Sequence, residues 1–480
     1  MCGIVGITGR LDVAPELVIA LFSMQHRGQD AAGVVTLDSG TLRALKGLGQ
    51  VDAALPAHQI AELKGTTGIG HVRYPTHGGA GLGDTHPYVT RLGGIALAHN
   101  GNLTNTSVLT EQLVAVGLTP LSRNDGELLV MLLAHELNKL GGAASDGAVI
   151  NAVRAVMKRA EGAYSVVTTL RIAGADTVVC FRDEHGIRPA VYGERGGDWV
   201  VASESVALDA LGVRRIGDVP AGHILLLRQG QDPVLESGRE PTERRCVFEN
   251  VYFARPDSVI GGQRVNATRW RMGDVLGRHW ASLGLQADVI VPVPDTSRPA
   301  AQAMSERLGI PHREGFIKNR YSGRTFIMPD AQTREAALRL KLNPIREVFE
   351  GKRVLLVDDS VVRGSTMRRI AALVRTLNPI EVHLAVFSPP VRHPCFYGID
   401  IPTEDELIAG RMSELDLEST LSTHFGVDSV TYLPIDGLAE AVGTQLCAAC
   451  FDGDYPVTVN ETERHAMQRQ RRPAKGVGAP

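Results

Sequence analysis

Hydrophobic positions in the first half of the chain form many short runs that are separated by glycine-containing turns. Five runs have the length and composition of strands: GGIALAH (93–99), YSVVTTL (164–170), TVVCF (177–181), WVVAS (199–203) and HILLL (223–227). Longer apolar segments at 15–24 and 126–140 are typical of helices. Because strands follow one another instead of alternating with helices, the first half is predicted to form antiparallel sheets with helices packed on them.

The second half changes to a regular alternation of strand and helix. Residues 287–310 read as strand, loop and helix, residues 352–379 repeat that order, and EVHLAVFS (381–388) follows as a strand. This alternation predicts a parallel sheet with crossover helices. The polar stretch 227–244 is interpreted as the linker between the two halves.

Length, composition and charge narrow the class of protein. The chain has 480 residues, which is too long for one ordinary core, and 44% of them are hydrophobic and 21% charged. A net charge of -3 gives no electrostatic reason for a nucleic-acid or membrane partner. Six widely spaced cysteines, with no export signal and no long apolar run, predict a cytoplasmic protein with reduced thiols.

The segment VLLVDDSVVRGSTMRRIAALV carries the clearest chemistry of the second half. Val354–Val357 form a buried strand, and Asp358 and Asp359 follow at its carboxyl end, where open α/β sheets bind ligands. Helical spacing resumes at Ile370, so the preceding hydroxyl residues, Ser365 or Thr366, are predicted to cap a helix. A helix N-terminus suits a phosphate, and Mg²⁺ would keep the two carboxylates from repelling it.

This segment resembles the phosphoribosyl pyrophosphate (PRPP) loop of phosphoribosyltransferases. The resemblance implies that Asp358 and Asp359 hold the ribose hydroxyls and Mg²⁺. It assigns PRPP binding also to Ser360, Arg363, Gly364, Ser365 and Thr366. In the upstream loop PVPDTSRPAA, Thr296 is expected to contact the metal, with Ser297 close behind. The basic, glycine-containing segment 318–329, with Lys318 and Arg324, is expected to act as a lid that neutralises pyrophosphate.

The N-terminus offers a candidate nucleophile, since Cys2 directly follows Met1. Only Met1 precedes Cys2, so its removal alone is expected to leave a thiol and a free α-amine on one residue. That amine has a reference pKa of about 7.7–8 and can accept the thiol proton. On these residues alone, Cys2 can equally be the first residue of a buried strand.

Glycine-punctuated polar loops at 26–33, 70–78, 98–103 and 124–127 can supply the groups that a glutamine-cleaving thiol needs. Arg73 can pair with an α-carboxylate and Asp125 with an α-ammonium group. The Asn100 amide and the Gly101 N–H can stabilise an oxyanion. Together with Cys2 these residues resemble the glutaminase domain of N-terminal-nucleophile (class II) amidotransferases.

Four histidines lie among these loops, His71, His77, His86 and His99. Their spacings fit no helical zinc-ligand pair, so a structural or hydrogen-bonding role is predicted for them.

The two halves, in this order, resemble the amidophosphoribosyltransferase family. The resemblance implies an α+β N-terminal-nucleophile (Ntn) hydrolase sandwich over 2–235 and an α/β type I phosphoribosyltransferase domain with a parallel sheet over 245–460. Residues 461–480 are expected to be a flexible basic tail. The resemblance also implies that ammonia from glutamine passes through an apolar passage to C1 of PRPP. The products are 5-phosphoribosylamine, glutamate and pyrophosphate, in the first committed step of purine synthesis.

The same resemblance implies one Mg²⁺ per subunit, feedback inhibition by purine nucleotides and a homotetramer. Two other interpretations remain. A different class II amidotransferase, such as a glucosamine-phosphate synthase, would lack the segment DDSVVRGST. A PRPP-sensing regulator would need a DNA-binding module and would not need Cys2 at that position.

Four further cysteines, Cys246, Cys395, Cys447 and Cys450, could hold zinc or an iron–sulfur cluster by ligand softness, and their spacing does not choose between them. They match the positions of an iron–sulfur subgroup of the family, which implies one [4Fe–4S] cluster per subunit with a structural or oxygen-sensing role. Cys180 has no such match and is predicted to lie in the core.

Overall fold

The computed structural model describes residues 1–74, 81–319, 342–410, 412–413, 415–464 and 467. In these residues, two large antiparallel sheets are built from the first half of the chain and one parallel sheet from the second. No helix in the described ranges combines the length and the apolar character needed to cross a bilayer.

The two antiparallel sheets of the first half face each other as a sandwich. One sheet has the strand order β11-β9-β10-β1-β4-β2-β3 and the other β13-β12-β8-β7-β6-β5. The first contains β1 (Gly3–Thr8), β2 (Ala31–Asp38), β3 (Thr41–Leu48), β4 (Thr67–Arg73), β9 (Val191–Arg195), β10 (Asp198–Ala202) and β11 (Arg214–Asp218). The second contains β5 (Tyr88–Thr90), β6 (Ile95–Leu103), β7 (Gly162–Ile172), β8 (Ala175–Arg182), β12 (His223–Leu227) and β13 (Val234–Ser237). The predicted antiparallel α+β architecture is confirmed.

Helices cover the outer face of each sheet, so the first half has four layers. They are α1 (Ala14–Ser23), α2 (Val51–Ala54), α3 (Ala57–Ile60), α4 (Thr106–Ala115), α5 (Asp125–Lys139), α6 (Asp146–Arg159) and α7 (Ser205–Ala210). Side chains of α1, α2 and α7 pack on the first sheet, and those of α4, α5 and α6 on the second. Between the sheets lie residues such as Ile4, Ile69 and Val167, together with Cys180 as predicted. Burial raises the pKa of the Cys180 thiol to about 12, which keeps it protonated.

The predicted linker is not a free connection. Within 227–244, β13 pairs with β12 at the edge of the second sheet. The N–H groups of Thr242 and Arg244 then donate to the Glu184 and His185 carbonyls of the first half, at 2.9 and 2.8 Å. The first unit therefore extends to about residue 244, because polar composition at the surface of an edge strand resembles that of a loop.

The second half is a parallel α/β unit, as predicted. Its sheet has the order β17-β20-β21-β22, formed by β17 (Val289–Pro292), β20 (Arg353–Asp358), β21 (Glu381–Val386) and β22 (Ser429–Tyr432). Short pairs join β14 (Arg245–Cys246) to β23 (Leu446–Cys447), β15 (Val259–Ile260) to β16 (Gln263–Arg264), and β18 (Phe316–Lys318) to β19 (Leu342–Pro344). The helices are α8 (Val265–Ser282), α9 (Arg298–Leu308), α10 (Arg346–Phe349), α11 (Ser365–Arg375), α12 (Leu417–Phe425), α13 (Ile435–Val442) and α14 (Ala449–Asp452).

The predicted cap of α11 is wrong by one residue. Gly364 is the N-cap, with a left-handed φ of 72°, and Ser365 is the first helical residue. Two features require glycine here. The positive φ is unfavourable for other residues, and a Cβ would lie 2.5 Å from the Ile408 side chain.

The C-terminal segment begins as part of the body and not as the tail predicted over 461–480. Residues 461–464 are helical, and the Ser107 N–H donates to the Glu463 carboxylate at 3.0 Å. The Arg464 guanidinium lies 5.4 Å from the centroid of the Phe396 ring, and Met467 is buried in the second-half core. The polar residues of this segment give no sign of these contacts, because each partner is far away in the chain.

The close packing of α8 on α9 generates a test of the second-half core. A Cβ on Gly273 would lie 2.2 Å from the Ala300 carbonyl oxygen. We expect Gly273→Ala to separate the helices and to lower the free energy of unfolding by about 1–3 kcal/mol, read from urea denaturation. Gly277→Ala is the matched control, because its Cβ meets the Arg307 side chain at 3.2 Å and the Met304 Cα at 3.5 Å, which is much less crowded. Equal effects from the two substitutions would contradict this packing.

Candidate active sites and the contact between them

Cys2 lines a small cleft in the first half. It precedes β1, which is fixed between β10 and β4. The Cys2 backbone N–H donates to the Asn100 Oδ1 atom at 3.4 Å, and the Cys2 Sγ lies 3.6 Å from the Tyr74 carbonyl oxygen. The cleft is lined by Cys2, His71, Arg73, Tyr74, His86, His99, Gly101, Asn124 and Asp125.

Asn100 and Gly101 are neighbours on β6, beside Cys2. The Asn100 Nδ2 group is buried and has no hydrogen-bond acceptor in the described part of the chain. An unsatisfied buried donor is costly unless a ligand supplies the acceptor. Gly101 has a φ of 149°, and a Cβ there would lie 1.9 Å from the Ala163 carbonyl oxygen, so no other residue fits. The pair is placed to donate to an oxygen on a substrate attacked by Cys2.

Asp125 and Arg73 provide opposite charges on the walls of the same cleft. Asp125 begins α5, and its Oδ2 atom accepts from the Leu103 N–H at 3.0 Å and lies 3.2 Å from the His99 Nε2 atom. Arg73 ends β4, where its carbonyl accepts the Asp30 N–H at 3.1 Å. All five residues that the sequence analysis assigned to glutamine chemistry therefore lie together, although they come from four separate segments.

Three of the four histidines form a buried stack beneath the cleft. The rings of His71 and His86 are 4.4 Å apart and those of His86 and His99 5.1 Å apart, measured between centroids. Burial, reinforced by neighbouring imidazoles, lowers the pKa values of His71 and His86 well below the usual range. His77 lies outside the described residues.

Neutral His86 has a defined hydrogen-bonding role. Its Nδ1 atom accepts the His99 N–H at 3.4 Å, so its Nε2–H donates to the Asn124 Oδ1 atom at 3.0 Å. The same Asn124 oxygen caps α5 by accepting the Gly126 N–H at 2.9 Å. His86 thereby holds the turn that presents Asp125, and the sequence analysis had not singled out Asn124.

The second candidate site is at the carboxyl end of β20. The Asp359 N–H donates to the Asp358 carboxylate at 3.0 Å, and the Ser360 hydroxyl donates to the Asp359 carboxylate at 2.6 Å. Thr296 also hydrogen-bonds to Asp359 and lowers its pKa. Burial nevertheless raises the pKa of Asp359 to about 6, and burial together with the Asp359 charge raises that of Asp358 well above its usual value. A divalent cation would relieve this repulsion, so the donor set fits Mg²⁺.

The other PRPP-assigned residues that the structure describes lie in the loop after Asp359, in the first turn of α11 and on β18. Ser365 and Thr366 are exposed in the first turn of α11, and Arg363 pairs with Glu406 at 3.2 Å. The Lys318 ammonium donates to the Asp295 carboxylate at 2.7 Å, in the loop that also carries Thr296. Arg324 and the rest of the expected lid, 320–329, lie outside the described residues, and the Ser297 hydroxyl donates to the Val293 carbonyl.

The four assigned cysteines meet in the core of the second half. Cys246 on β14 pairs in register with Cys447 on β23, and the Cys450 carbonyl accepts the Arg392 and His393 N–H groups at 2.9 and 3.1 Å, next to Cys395. All four are buried and free of disulfides. Burial raises the pKa values of Cys246, Cys447 and Cys450, and the neighbouring cysteines add to this effect. In the described ranges no set of three His, Cys, Asp or Glu side chains is close enough to hold one metal ion.

A loop of the second half closes over the glutamine-type cleft. The Asn102 Nδ2 group donates to the Phe396 carbonyl at 2.8 Å, and the Tyr74 hydroxyl donates to Asp400 at 2.8 Å. Gly398, with a φ of 98°, lies so near Gly101 that a Cβ would be 3.0 Å from its carbonyl oxygen. The sequence analysis missed this contact, because nothing local in FYGID marks it.

A buried arginine ties Cys2 to both halves of the molecule. The Arg27 Nε group donates to the Cys2 carbonyl at 3.0 Å. Its Nη1 group pairs with Glu204, and its Nη2 group donates to Glu249 at 2.8 Å. Glu204 belongs to the first half, whereas Glu249 follows Cys246 at the junction. Arg188 also approaches the Glu249 carboxylate, at 3.4 Å.

The charges in this network stabilise one another. Burial alone would raise the pKa of Glu204, but Arg27 and His26 hold it well below the usual range. Burial opposes the charge on Arg27, yet Glu249 and Glu204 raise its pKa above the ordinary value. The network therefore stays ionised without contact with water.

We expect Glu249→Gln to lower the free energy of unfolding by about 3–5 kcal/mol, because it leaves two buried guanidinium groups with one carboxylate fewer. Urea denaturation measures the change. Glu236→Gln is the control, since Glu236 pairs with Arg154 at 3.3 Å on the exposed surface and should change stability by less than about 1 kcal/mol. A small effect at Glu249 would show that the network does not join the halves.

Comparison with known proteins gives a consistent result over both halves. A family model described as glutamine amidotransferase domain matches residues 81–210, and one described as phosphoribosyl transferase domain matches residues 274–393. An amidophosphoribosyltransferase of Methanothermobacter thermautotrophicus is 40% identical over 463 residues, which cover 95% of this chain and 94% of the relative. That of Pseudomonas aeruginosa is 41% identical over 495 residues, covering 99% and 97%.

Two solved structures share the whole architecture. One is a glutamine PRPP amidotransferase from B. subtilis complexed with ADP and GMP, with a TM-score of 0.86 and 36% identity, covering 96% of this chain and 98% of that chain. The other is described as the allosteric regulatory enzyme of purine biosynthesis, with a TM-score of 0.87 and 36% identity, covering 96% and 97%.

Proposed function

This chain belongs to the amidophosphoribosyltransferase family, and we propose that Cys2 is the nucleophile with which its reaction begins. The enzyme hydrolyses glutamine and transfers the ammonia to C1 of PRPP, giving 5-phosphoribosylamine, glutamate and pyrophosphate in purine biosynthesis. The observation that carries the assignment of Cys2 is the convergence of Arg73, Asp125 and the Asn100–Gly101 pair on its thiol.

Removal of Met1 converts the Cys2 backbone nitrogen into an amine beside its own thiol. The amine takes the thiol proton, and the thiolate attacks the glutamine carboxamide. Asn100 Nδ2 and the Gly101 N–H donate to the oxyanion, which gives the unsatisfied Asn100 group its acceptor. The proton then passes from the amine to the departing ammonia, and water hydrolyses the γ-glutamyl thioester to free glutamate.

Arg73 and Asp125 orient the amino-acid end of glutamine. A guanidinium binds the α-carboxylate with two parallel hydrogen bonds, and the Asp125 carboxylate binds the α-ammonium group. Amides that lack the α-carboxylate and the α-ammonium group of glutamine should therefore bind poorly. His86, through Asn124, keeps Asp125 in position.

Cys2→Ser is expected to reduce glutamine-dependent formation of phosphoribosylamine by roughly 10³-fold or more, since a serine hydroxyl ionises far less readily than a thiol. The variant should keep its rate with added ammonia, because the second site is untouched. Cys180→Ala is the control, as it removes a buried thiol of the sandwich core and should spare both reactions. Equal loss with both nitrogen donors would contradict separate sites.

At the second site, we propose that Asp358, Asp359 and Thr296 hold one Mg²⁺ per subunit together with PRPP. When bound, the metal neutralises charge on the pyrophosphate leaving group. Ser360, Arg363, Gly364, Ser365 and Thr366 bind the 5-phosphate at the N-terminus of α11. Lys318 and Arg324 are assigned to the pyrophosphate side, where Lys318 would exchange Asp295 for substrate.

Ammonia has to cross from Cys2 to C1 of PRPP without becoming ammonium. We propose an apolar passage that starts where Gly398 lies on Gly101, because this contact excludes water between the halves. The passage would be completed when PRPP closes the lid.

We propose that Cys246, Cys395, Cys447 and Cys450 hold one [4Fe–4S] cluster per subunit. Four buried thiols that are not oxidised in pairs are the ligand set that such a cluster requires. Each cysteine would bind a different iron, so the thiols need not converge on one ion. A cluster here would be structural or oxygen-sensing, since neither half-reaction transfers electrons.

The cluster predicts a brown protein after anaerobic purification, with visible absorption and bound iron and sulfide. Cys447→Ser should lose colour and iron together, because one ligand of four is removed. Cys180→Ala should keep both. A colourless wild-type protein that contains zinc would contradict the assignment.

We further propose purine nucleotides as feedback inhibitors, a homotetramer and a cytoplasmic location. The related B. subtilis enzyme is complexed with ADP and GMP, which supports nucleotide regulation of this chain. A reducing compartment is required by the Cys2 thiolate and by the four cluster thiols.

A further inference from the structure

Arg188 is a fully buried cation beside the four cysteines. It follows Ile187, whose carbonyl accepts the Cys246 N–H at 3.2 Å, so its backbone is fixed one residue from a proposed cluster ligand. The Ser165 hydroxyl donates to the Arg188 carbonyl at 2.8 Å. The Arg188 side chain has no exposure to solvent.

The guanidinium of Arg188 has only part of its hydrogen bonding satisfied. Its Nη1 group contacts the Met1 sulfur at 2.6 Å and the Glu249 carboxylate at 3.4 Å. Its Nε and Nη2 groups are buried and lack any acceptor in the described part of the chain. A guanidinium carries five N–H donors, and leaving several of them unpaired away from water is strongly unfavourable.

The sulfur atoms of the four cysteines are the candidates to accept these N–H groups. Ile187, which precedes Arg188, packs in the same core cluster as all four cysteines, and Cys246 pairs in register with Cys447. Glu249 is shared between Arg188 and Arg27, and its contact with Arg188 through Nη1 at 3.4 Å leaves the Nε and Nη2 groups without an acceptor among the described residues.

We propose that Arg188 donates hydrogen bonds through Nε and Nη2 to sulfur atoms of the cluster held by Cys246, Cys395, Cys447 and Cys450, and thereby sets its reduction potential. This inference rests on the proposed cluster. Four thiolates make the cluster site anionic, and reduction adds a further negative charge. A fixed cation and N–H···S bonds stabilise the reduced form more than the oxidised form. Arg188 is thus a positioning residue for the cluster and touches neither substrate.

The test uses the full-length protein, purified without oxygen, as wild type, Arg188→Gln and Arg188→Lys. Iron and sulfide content is measured first, and the reduction potential is then measured by dye-mediated titration followed by electron paramagnetic resonance. We expect Arg188→Gln to shift the potential to more negative values, because charge and fork geometry are both lost. Arg188→Lys should shift it less in the same direction, since it keeps the charge.

Arg182→Gln is the matched control. Arg182 is also buried, but it donates to the Val219 and Gly186 carbonyls, and its cysteine neighbour is Cys180. It should leave the potential unchanged. If Arg188→Gln does not fold, Arg188→Lys decides alone.

Two failures are distinguishable. A wild-type protein that contains no iron would overturn the cluster and this inference with it. A wild-type protein with full iron content, and an Arg188 variant of unchanged potential, would overturn only the role of Arg188.

Discussion

The main-chain carbonyl of Cys2 is held by a guanidinium that water does not reach, and the arrangement of both halves depends on that contact. A buried Arg27 is stable only because two carboxylates accompany it. One carboxylate, Glu204, belongs to the sandwich, and the other, Glu249, belongs to the junction with the parallel-sheet unit. The Cys2 end of the chain is therefore linked through Arg27 to residues of both halves.

The same docking completes the first cleft. The loop that follows Cys395 contributes a carbonyl to Asn102, a glycine against Gly101 and a carboxylate to Tyr74. Close approach of two backbones is possible there because neither position carries a Cβ. In an enzyme that moves ammonia between two sites, a wall shared by both domains is the place where water must be kept out.

Burial affects the ionisable side chains of the two sites in different ways. In the first cleft, burial keeps His71 and His86 neutral, so that His86 acts as a donor with a fixed tautomer and not as an acid. At the second site, burial forces Asp358 and Asp359 toward protonation, a conflict that a divalent cation resolves. The neutral side chains line the cleft proposed to bind glutamine, and the acidic pair lies at the site proposed to bind Mg²⁺ with PRPP.

The sequence by itself determined the strands, their antiparallel or parallel character, and the segments that carry Cys2, Asn100 and Asp358. These features follow from periodicity and from residue types that act over a few neighbours. The loop predicted at 98–103 is wrong, since Asn100 lies on β6. The sequence also misjudged residues 227–244 and 461–464, whose polar composition resembles that of free segments. Only the tertiary structure decided the Arg27–Glu249 pairing, the Gly398–Gly101 contact and the place of Arg188. Each of these depends on contacts between residues of different elements, and a contact in space between distant parts of the chain leaves no local signal in the sequence.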